Sequence, residues 1–203
     1  MLAYLIPGIT YGFAAAVTPG PLSAFLISQA LNNGWRRTLP ATFAPLVSDG
    51  PIALLVLLAL SQVSASFIQY LRLLGGAFVL YLAFGALVAW RSFDAKKHIP
   101  VPSNPNNLLK AALVNWLNPN PYLGWSLVLG PSLLSGWRET PAHGIALVVG
   151  FYGAMIASLI AIIMLFAAAR TIGPRVSRSL LGLSAIALAC FGLYQLWLGS
   201  LAQ

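Results

Sequence analysis

The sequence predicts an all-α integral membrane protein with six transmembrane helices, built as two inverted three-helix repeats with broken first and fourth helices. Three observations predict this fold: the apolar composition, the number of long apolar runs and an internal repeat. Of the 203 residues, 59% are hydrophobic and 7% are charged, whereas about 25% of the residues in a soluble domain are charged. The composition therefore excludes a water-soluble globular protein.

Six apolar runs are each long enough to cross a bilayer, which takes about 20 residues. They are Leu5–Leu31, Leu39–Leu60, Phe67–Trp90, Leu108–Leu134, Ile145–Ala169 and Leu180–Leu201. The polar joints between these runs are too short to form a soluble domain. We therefore expect a single membrane domain, with residues 1–90 as the first three-span repeat, 91–107 as a cytoplasmic linker and 108–203 as the second repeat.

The distribution of positive charge predicts the orientation. The chain has eleven Lys and Arg against three acids, and nine of the eleven fall in the first, third and fifth joints when Lys110 is counted with the third. Because cytoplasmic joints carry the excess of Lys and Arg, both termini are expected outside, in a multi-pass protein of the cell membrane. No basic residue precedes the first run, so this run is expected to be kept rather than removed as a signal peptide. In an alternative arrangement the first run lies only in the interface, which leaves five spans and moves the N-terminus.

An internal repeat connects the two halves of the chain. Pro19–Pro21 recurs as Pro119–Pro121 at an offset of 100, and Gly34–Thr38 recurs as Gly136–Thr140 at an offset of 102. Each half contains three runs, an odd number, so the halves enter the membrane in opposite senses, as in many secondary transporters. Chance matching of common apolar residues is the alternative, but it does not easily produce two ordered Gly-Trp-Arg-x-Thr segments.

The proline pairs predict a break in the first and fourth helices. A proline removes a backbone donor and clashes with the preceding turn, so Pro19–Pro21 cannot lie inside a regular helix. The first break lies about 20 Å from both Leu5 and Asn33 at about 1.5 Å per residue, which is near the bilayer midplane. Irregular backbone at that depth is tolerated where it faces protein or a watery cavity, and transporters bind substrates at such breaks. The alternative is that the prolines only kink the helices for packing.

Asp49 is the one acid inside an apolar run. A carboxyl group in the membrane costs several kcal/mol unless it is neutral or paired, so it is expected to face a cavity and to bind a proton, an ion or a substrate. The alternative is a structural role, in which Asp49 bonds to backbone groups that the nearby Pro45 leaves free. Together with the residues at the breaks it completes the candidate substrate and ion site: Asp49, Thr18, Pro19, Gly20, Pro21, Asn115, Asn118, Pro119, Asn120 and Pro121.

The remaining chemistry argues against an enzyme. His98 and His143 lie in polar joints and Cys190 is the single cysteine, so neither a metal site nor a serine and histidine pair is expected within the membrane. No cofactor is expected, and nucleic acid is not expected as a partner because no basic run is interleaved with aromatic residues. Five further polar residues are better suited to packing than to a pathway: Tyr11, Gln29, Ser48, Tyr122 and Tyr152. Glycines such as Gly8, Gly12, Gly75, Gly76 and Gly85 allow close helix contact, within one chain or in a homodimer.

Four segments resemble the lysine-exporter (LysE) and homoserine/threonine-exporter family of small amino-acid efflux carriers: Pro19–Pro21, Ser48–Gly50, Leu74–Leu82 and Asn118–Pro119. The resemblance covers the whole chain. It departs where many members have Asn-Pro-Lys and this chain has Asn118–Asn120, which leaves the preferred charge of the substrate open. It also departs at Ser48, where glycine is usual, and at Pro45, where a small residue is usual.

This resemblance implies export of amino acids or similar metabolites, driven by a proton or ion gradient and without a cofactor. The expected partners are a small-molecule substrate, protons and the lipid bilayer. We therefore expect a secondary active exporter that alternates access around a midplane site. A passive channel or a membrane scaffold without transport activity is the alternative, and neither would need Asp49.

Overall fold

A computed structural model describes residues 1–58, 65–91 and 107–201. Within these ranges the chain is helical and contains no strand. In chain order the elements are α1 (Leu2–Val17), α2 (Pro21–Asn33), α3 (Trp35–Thr38), a 3-10 turn (Leu39–Phe43), α4 (Ala44–Leu58), α5 (Ala65–Arg91), α6 (Asn107–Trp116), α7 (Pro119–Gly124), a π-helical turn (Trp125–Leu129), α8 (Gly130–Glu139), α9 (Pro141–Ile172) and α10 (Pro174–Leu201). Of the predicted linker 91–107, only the two end residues are described. His98 and the predicted end of the second span also lie outside the described residues.

Four helical stretches in the described residues are long and apolar enough to cross a membrane. They are Trp35–Leu58, Gln69–Arg91, Pro141–Ala168 and Arg178–Leu201. The pair α1 and α2 passes the same test as one broken segment bent by 63°, which raises the count to five. The prediction of an all-helical membrane protein with a broken first helix is therefore confirmed, whereas the six-span count is not.

The predicted fourth span, Leu108–Leu134, is not one continuous helix. α6 ends at Trp116, and α7 and the π-helical turn follow before α8 begins at Gly130. Pro119, Pro121 and Pro131 each lack the N–H that a regular helix needs for its hydrogen bond four residues back. The fourth helix is therefore broken, as predicted. None of its segments is long enough by itself to cross a membrane.

Two long helix pairs form the main packing contacts. α1 packs along α9, and α5 packs along α10. A Cβ atom added to Gly8 or Gly12 would collide with the backbone of α9, and one added to Gly76 would collide with α10. Small residues thus allow the close backbone approach that stabilises helix pairs in membranes. At Gly85, by contrast, no described atom lies within 4 Å of the added Cβ position.

The start of α1 is joined to the turn between α8 and α9. The hydroxyl of Tyr4 donates to Glu139 at 2.7 Å, and His143 contacts the other oxygen of Glu139 at 3.0 Å. These two hydrogen bonds lower the pKa of the exposed Glu139 carboxyl, with that from Tyr4 having the larger effect. His143 lies in the first turn of α9, so the polar joint predicted there is reduced to Thr140.

Candidate functional site

The first break separates α1 from α2. Thr18 and Gly20 are extended, and α2 begins at Pro21, a position where a proline costs no hydrogen bond. The Thr18 hydroxyl donates back to the carbonyl of Ala14 at 2.6 Å, and the Ser23 hydroxyl donates to Ala16 at 3.3 Å. The Thr18 hydroxyl thus adds a second donor to the Ala14 carbonyl, which already accepts from the backbone N–H of Thr18 at 3.0 Å, and the Ser23 hydroxyl supplies a donor to Ala16 in the last turn of α1.

The second break separates α6 from α7 and uses different side chains. Asn118 is extended, and its side-chain oxygen accepts from the backbone N–H of Asn120 at 3.1 Å, which is a typical N-cap bond. The hydroxyl of Tyr122 donates to the carbonyl of Trp116 at 3.0 Å. The Trp116 carbonyl before the break and the Asn120 N–H after it therefore both have hydrogen-bond partners within the protein.

Asp49 lies on α4 and is 3% exposed. Its Oδ1 accepts from the side-chain amide of Asn115 at 2.7 Å, and its Oδ2 accepts from the hydroxyl of Tyr152 at 3.2 Å. The same Asn115 amide nitrogen lies 2.7 Å from the hydroxyl of Ser48. A buried carboxylate requires such donors, and here they come from α6 and α9, which both belong to the second half of the chain.

A cavity of about 390 Å³ lies between the two breaks and reaches Asp49. Seven of the ten candidate residues line it: Thr18, Gly20, Asp49, Asn115, Asn118, Asn120 and Pro121. Pro21 begins α2 and is buried, and Pro119 begins α7 and is buried. Pro19 borders a separate cavity of about 180 Å³. The structure thus brings seven of the ten candidate residues together, although they come from three different helices and the two breaks.

Most of the remaining cavity wall is apolar, although Tyr11, Ser23 and Trp125 also contribute to it. It includes Leu129 from the π-helical turn and Phe151, Met155 and Leu159 from α9. Among the residues that line this cavity, Asp49 is the one with a charged side chain. The volume lies within the range of about 300–1,000 Å³ that small-molecule sites have, so the cavity suits a molecule with a polar end and an apolar end.

The π-helical turn brings an indole ring to the same cavity. The N–H of Gly130 donates to the carbonyl of Trp125, five residues back, and Pro131 directly afterwards has no N–H. Trp125 is 5% exposed and lines the cavity. Its indole nitrogen lies beside Asp49 and Tyr152 but makes no hydrogen bond of acceptable geometry to any described residue. Such turns occur often at functional sites.

A family model for the LysE type translocator matches residues 13–199. The chain belongs to this family. It is therefore a multi-pass membrane transporter, and the resemblance seen in the sequence is confirmed. No curated protein and no solved structure matches the chain.

Five polar residues of this translocator contact the site although the sequence patterns do not assign them to it. The sequence patterns favour packing for Tyr11, Ser48 and Tyr152, and they do not single out Ser23 or Trp125. The offset between Asp49 and Tyr152 is 103, close to the offset of 102 between the Gly-Trp-Arg-x-Thr segments, so the repeat contained a signal for Tyr152. No comparable signal exists for Trp125, because its position depends on the π-helical turn. In the part of the chain that the structure describes, no three metal-ligating side chains come together.

Proposed function

We propose that this translocator is a secondary active exporter of small amino acids or related metabolites, coupled to protons and alternating access around the cavity between the breaks. The observation that carries the proposal is the bonding of Asp49. A single buried carboxylate from the first half of the chain is held by two donors from the second half, at the wall of a cavity of substrate size.

This arrangement supports coupling because relative motion of the two halves changes the environment of Asp49. When Asn115 and Tyr152 donate to the carboxylate, its negative charge is stabilised without a proton. If the halves move apart, the carboxylate loses these donors, and binding a proton or a substrate amine becomes the alternative way to satisfy it. Proton binding and access to the cavity would then be linked through one side chain.

Six crossings by two inverted three-span repeats remain part of this proposal, with α6 to α8 as the broken fourth crossing. The positions at an offset of 100 from one another support it, because Thr18 and Asn118, and also Gly20 and Asn120, line the same cavity. Asp49 and Tyr152 are related by nearly the same offset and contact each other. Equivalent residues of an inverted repeat are expected to meet near its axis, where such transporters bind substrates.

The test of coupling replaces Asp49 by asparagine, which keeps the shape but cannot titrate. Purified protein in vesicles is given a pH gradient, and accumulation of a mixture of labelled amino acids is measured. Wild-type protein is expected to accumulate substrate against its gradient, whereas Asp49→Asn is expected to lose accumulation while it retains exchange. Glu139→Gln is the matched control, because Glu139 is an exposed acid that does not line the cavity, and it should accumulate substrate like the wild type.

Uphill accumulation by Asp49→Asn at the wild-type rate would show that Asp49 is structural and that the coupling is assigned to the wrong residue. Wild-type protein that only dissipates a substrate gradient would be a passive channel, and the proposal of secondary transport would be wrong.

The proposed orientation places both termini outside the cell. Ser135 and Ser179 are exposed serines that flank the 32-residue α9, so they should lie on opposite sides of the membrane, about 48 Å apart along a helix of that length. In a Cys190→Ser background, Ser135→Cys is expected to react with an impermeant thiol reagent in intact cells. Ser179→Cys is expected to react only after the membrane is opened. The reverse pattern would invert the proposed topology.

A further inference from the structure

A cavity of about 420 Å³, here called the α5 cavity, lies between α2, α5, α6 and α10 and shares no lining residue with the cavity beside Asp49. It follows α2 from Phe25 to Asn32 and α5 from Tyr81 to Val88, which is about 10 Å along each helix at about 1.5 Å per residue. Asn32 lies in the last turn of α2, and α5 ends three residues after Val88. The α5 cavity therefore extends inward from a place where helices end, as expected of a site that begins at the membrane interface.

Three side chains that line the α5 cavity carry donors without an acceptor among the described residues. Ser28 is 2% exposed, and unlike Thr18 it does not donate to a backbone carbonyl one turn back. Its oxygen is not fully enclosed by protein, so it is reached from the cavity. The Oε1 of Gln29 accepts from the side-chain amide of Asn33 at 2.7 Å, which leaves the NH₂ group of Gln29 free to donate. A ligand with acceptor oxygens would satisfy these groups and Lys110 together.

The charge of the α5 cavity is positive. Lys110 is the one charged residue among the described residues that line it, and it forms no ion pair with any of them. Neither of the two acids in the described residues, Asp49 and Glu139, lines this cavity. A cation in apolar surroundings is costly without a counter-charge, so an anion at this position would stabilise Lys110.

The remainder of the α5 cavity is apolar and open to the bilayer. Tyr81, Phe84 and Val88 on α5 are 64%, 65% and 48% exposed, so this face of α5 faces lipid rather than protein. Gly85 lies between them, and no described atom lies within 4 Å of a Cβ added to it. The missing side chain leaves room along α5 for an acyl chain, so the cavity has a cationic end and a lipid-facing apolar end.

We infer that the α5 cavity binds one anionic phospholipid, with the phosphate held by Lys110, Ser28 and Gln29 and an acyl chain lying along Gly85. This inference goes beyond the transport function and rests on the membrane location of the chain. Basic pockets between membrane helices are suited to anionic head groups. A free phosphate offers the same oxygens without an acyl chain, and a zwitterionic lipid brings a cation of its own beside Lys110, so both are expected to bind more weakly.

The experiment titrates purified protein in detergent with lipid and uses native mass spectrometry, which counts the lipids and the protein copies in each complex. The ligands are dioleoyl phosphatidylglycerol, dioleoyl phosphatidylcholine and glycerol phosphate. The wild type is expected to bind phosphatidylglycerol at least about tenfold more tightly than either of the others, since a hydrogen bond to a charged group contributes about that much affinity. This comparison requires no variant and therefore does not depend on the folding of one.

Two variants test the polar end of the site. Lys110→Gln and Ser28→Ala are each expected to weaken binding of phosphatidylglycerol about tenfold or more. In Lys110→Gln the affinity for phosphatidylcholine should stay within about twofold of the wild type, because the lost term is the pairing of charge. Arg175→Gln is the matched control, because Arg175 is an exposed cation at the start of α10 that does not line the α5 cavity. It should bind phosphatidylglycerol like the wild type.

Gly85→Leu tests the apolar end, because its side chain would fill the room along α5 without colliding with a described residue. Binding of phosphatidylglycerol is expected to fall about tenfold or more, since the new side chain occupies the space of the acyl chain. Gly153→Leu is the matched control. Gly153 is an exposed glycine of α9 with no described atom within 4 Å of an added Cβ, and it does not line the α5 cavity. This variant should bind phosphatidylglycerol like the wild type.

Four outcomes would overturn the inference. Equal affinity of the wild type for the two lipids would remove the anionic head group, and glycerol phosphate binding as tightly as phosphatidylglycerol would make the site one for free anions. Unchanged binding of phosphatidylglycerol in Lys110→Gln would place the phosphate elsewhere. A wild-type dimer that Gly85→Leu converts to a monomer, with lipid binding unchanged, would show that a second copy of the chain covers this face. None of these results bears on proton coupling, which the accumulation assay on Asp49→Asn tests separately.

Discussion

Prolines with the same spacing occur at the break between α1 and α2 and at the break between α6 and α7. The side chains at the two breaks nevertheless bond to different helices. Thr18 and Asn118 are related by the offset of 100. The Thr18 hydroxyl bonds backward to a carbonyl of α1, whereas the Asn118 side chain bonds forward to an amide of α7. A hydroxyl donates readily to a carbonyl one turn back, while an asparagine oxygen is a good acceptor at an N-cap.

The two breaks also differ in which backbone amides have no partner at the start of the following helix. In the first turn of α7, Pro119 and Pro121 have no N–H, and the N–H of Asn120 is used by Asn118. The first turn of α2 keeps the amides of Leu22 and Ser23. The first turns of the two helices thus differ for two reasons: α7 begins at Pro119, two positions earlier in the motif than α2, and Asn118 uses the N–H of Asn120.

The largest expected effect comes from Asn115, whose equivalent at the offset of 100 is Ala15. Asn115→Ala would make the second half like the first at this position and remove a donor from the buried Asp49. The free energy of unfolding is expected to fall by about 1.5–3 kcal/mol, the range for hydrogen bonds to charged groups. Titration with SDS in mixed micelles, followed by tryptophan fluorescence, measures it. Thr10→Ala, at an exposed hydrogen-bonded residue of α1, is the control and should change stability by less than about 0.5 kcal/mol. Equal effects of the two variants would contradict the role of Asn115.

An intermediate effect is expected for Tyr122→Phe. The variant removes the donor to the Trp116 carbonyl at the end of α6 and leaves that carbonyl without it, which should cost about 1–2 kcal/mol. The same titration measures this loss. Tyr81→Phe is a matched control, because Tyr81 is 64% exposed on α5. A loss in Tyr122→Phe no greater than in this control would mean that the end of α6 does not depend on the hydroxyl.

The smallest effects compare the two equivalent positions directly. Asn118→Ala removes the N-cap of α7 and is expected to cost about 1 kcal/mol, whereas Thr18→Ala removes only the backward bond and should cost less than about 0.5 kcal/mol. The difference between the two unfolding free energies is the measured quantity. A larger loss in Thr18→Ala would reverse the comparison between the breaks.

The sequence was sufficient to locate seven of the residues that line the cavity, because prolines and a lone acid have strong local consequences. A proline pair must interrupt a helix wherever it lies in the chain, and Asp49 in an apolar run must find polar partners. The identity of those partners was harder to predict from the sequence. Asn115 was selected for its closeness to the second break, but Tyr152 lies within a long apolar helix and becomes a donor only because the fold brings its hydroxyl within 3.2 Å of Asp49.

The structural features that the sequence did not predict depend on contacts between helices. Trp125 reaches the cavity through the π-helical turn, which depends on how the bonding pattern adjusts ahead of Pro131. The fourth span was predicted as a helix with one break, and the structure divides it further. The polar joints between the later helices were also predicted to be longer than they are. Only Thr140 separates α8 from α9, and only Gly173 separates α9 from α10.

The packing of α1 on α9 has a consequence for the order of folding during synthesis. The glycines of α1 contact the backbone of Leu147 and Phe151, which are made well over a hundred residues later. At roughly 5–20 residues per second, the newly made α1 waits for about 7–28 s before its main partner leaves the ribosome. During that interval its small-residue face is open to lipid or to the membrane insertion machinery, so α1 is expected to dock late, when α9 arrives.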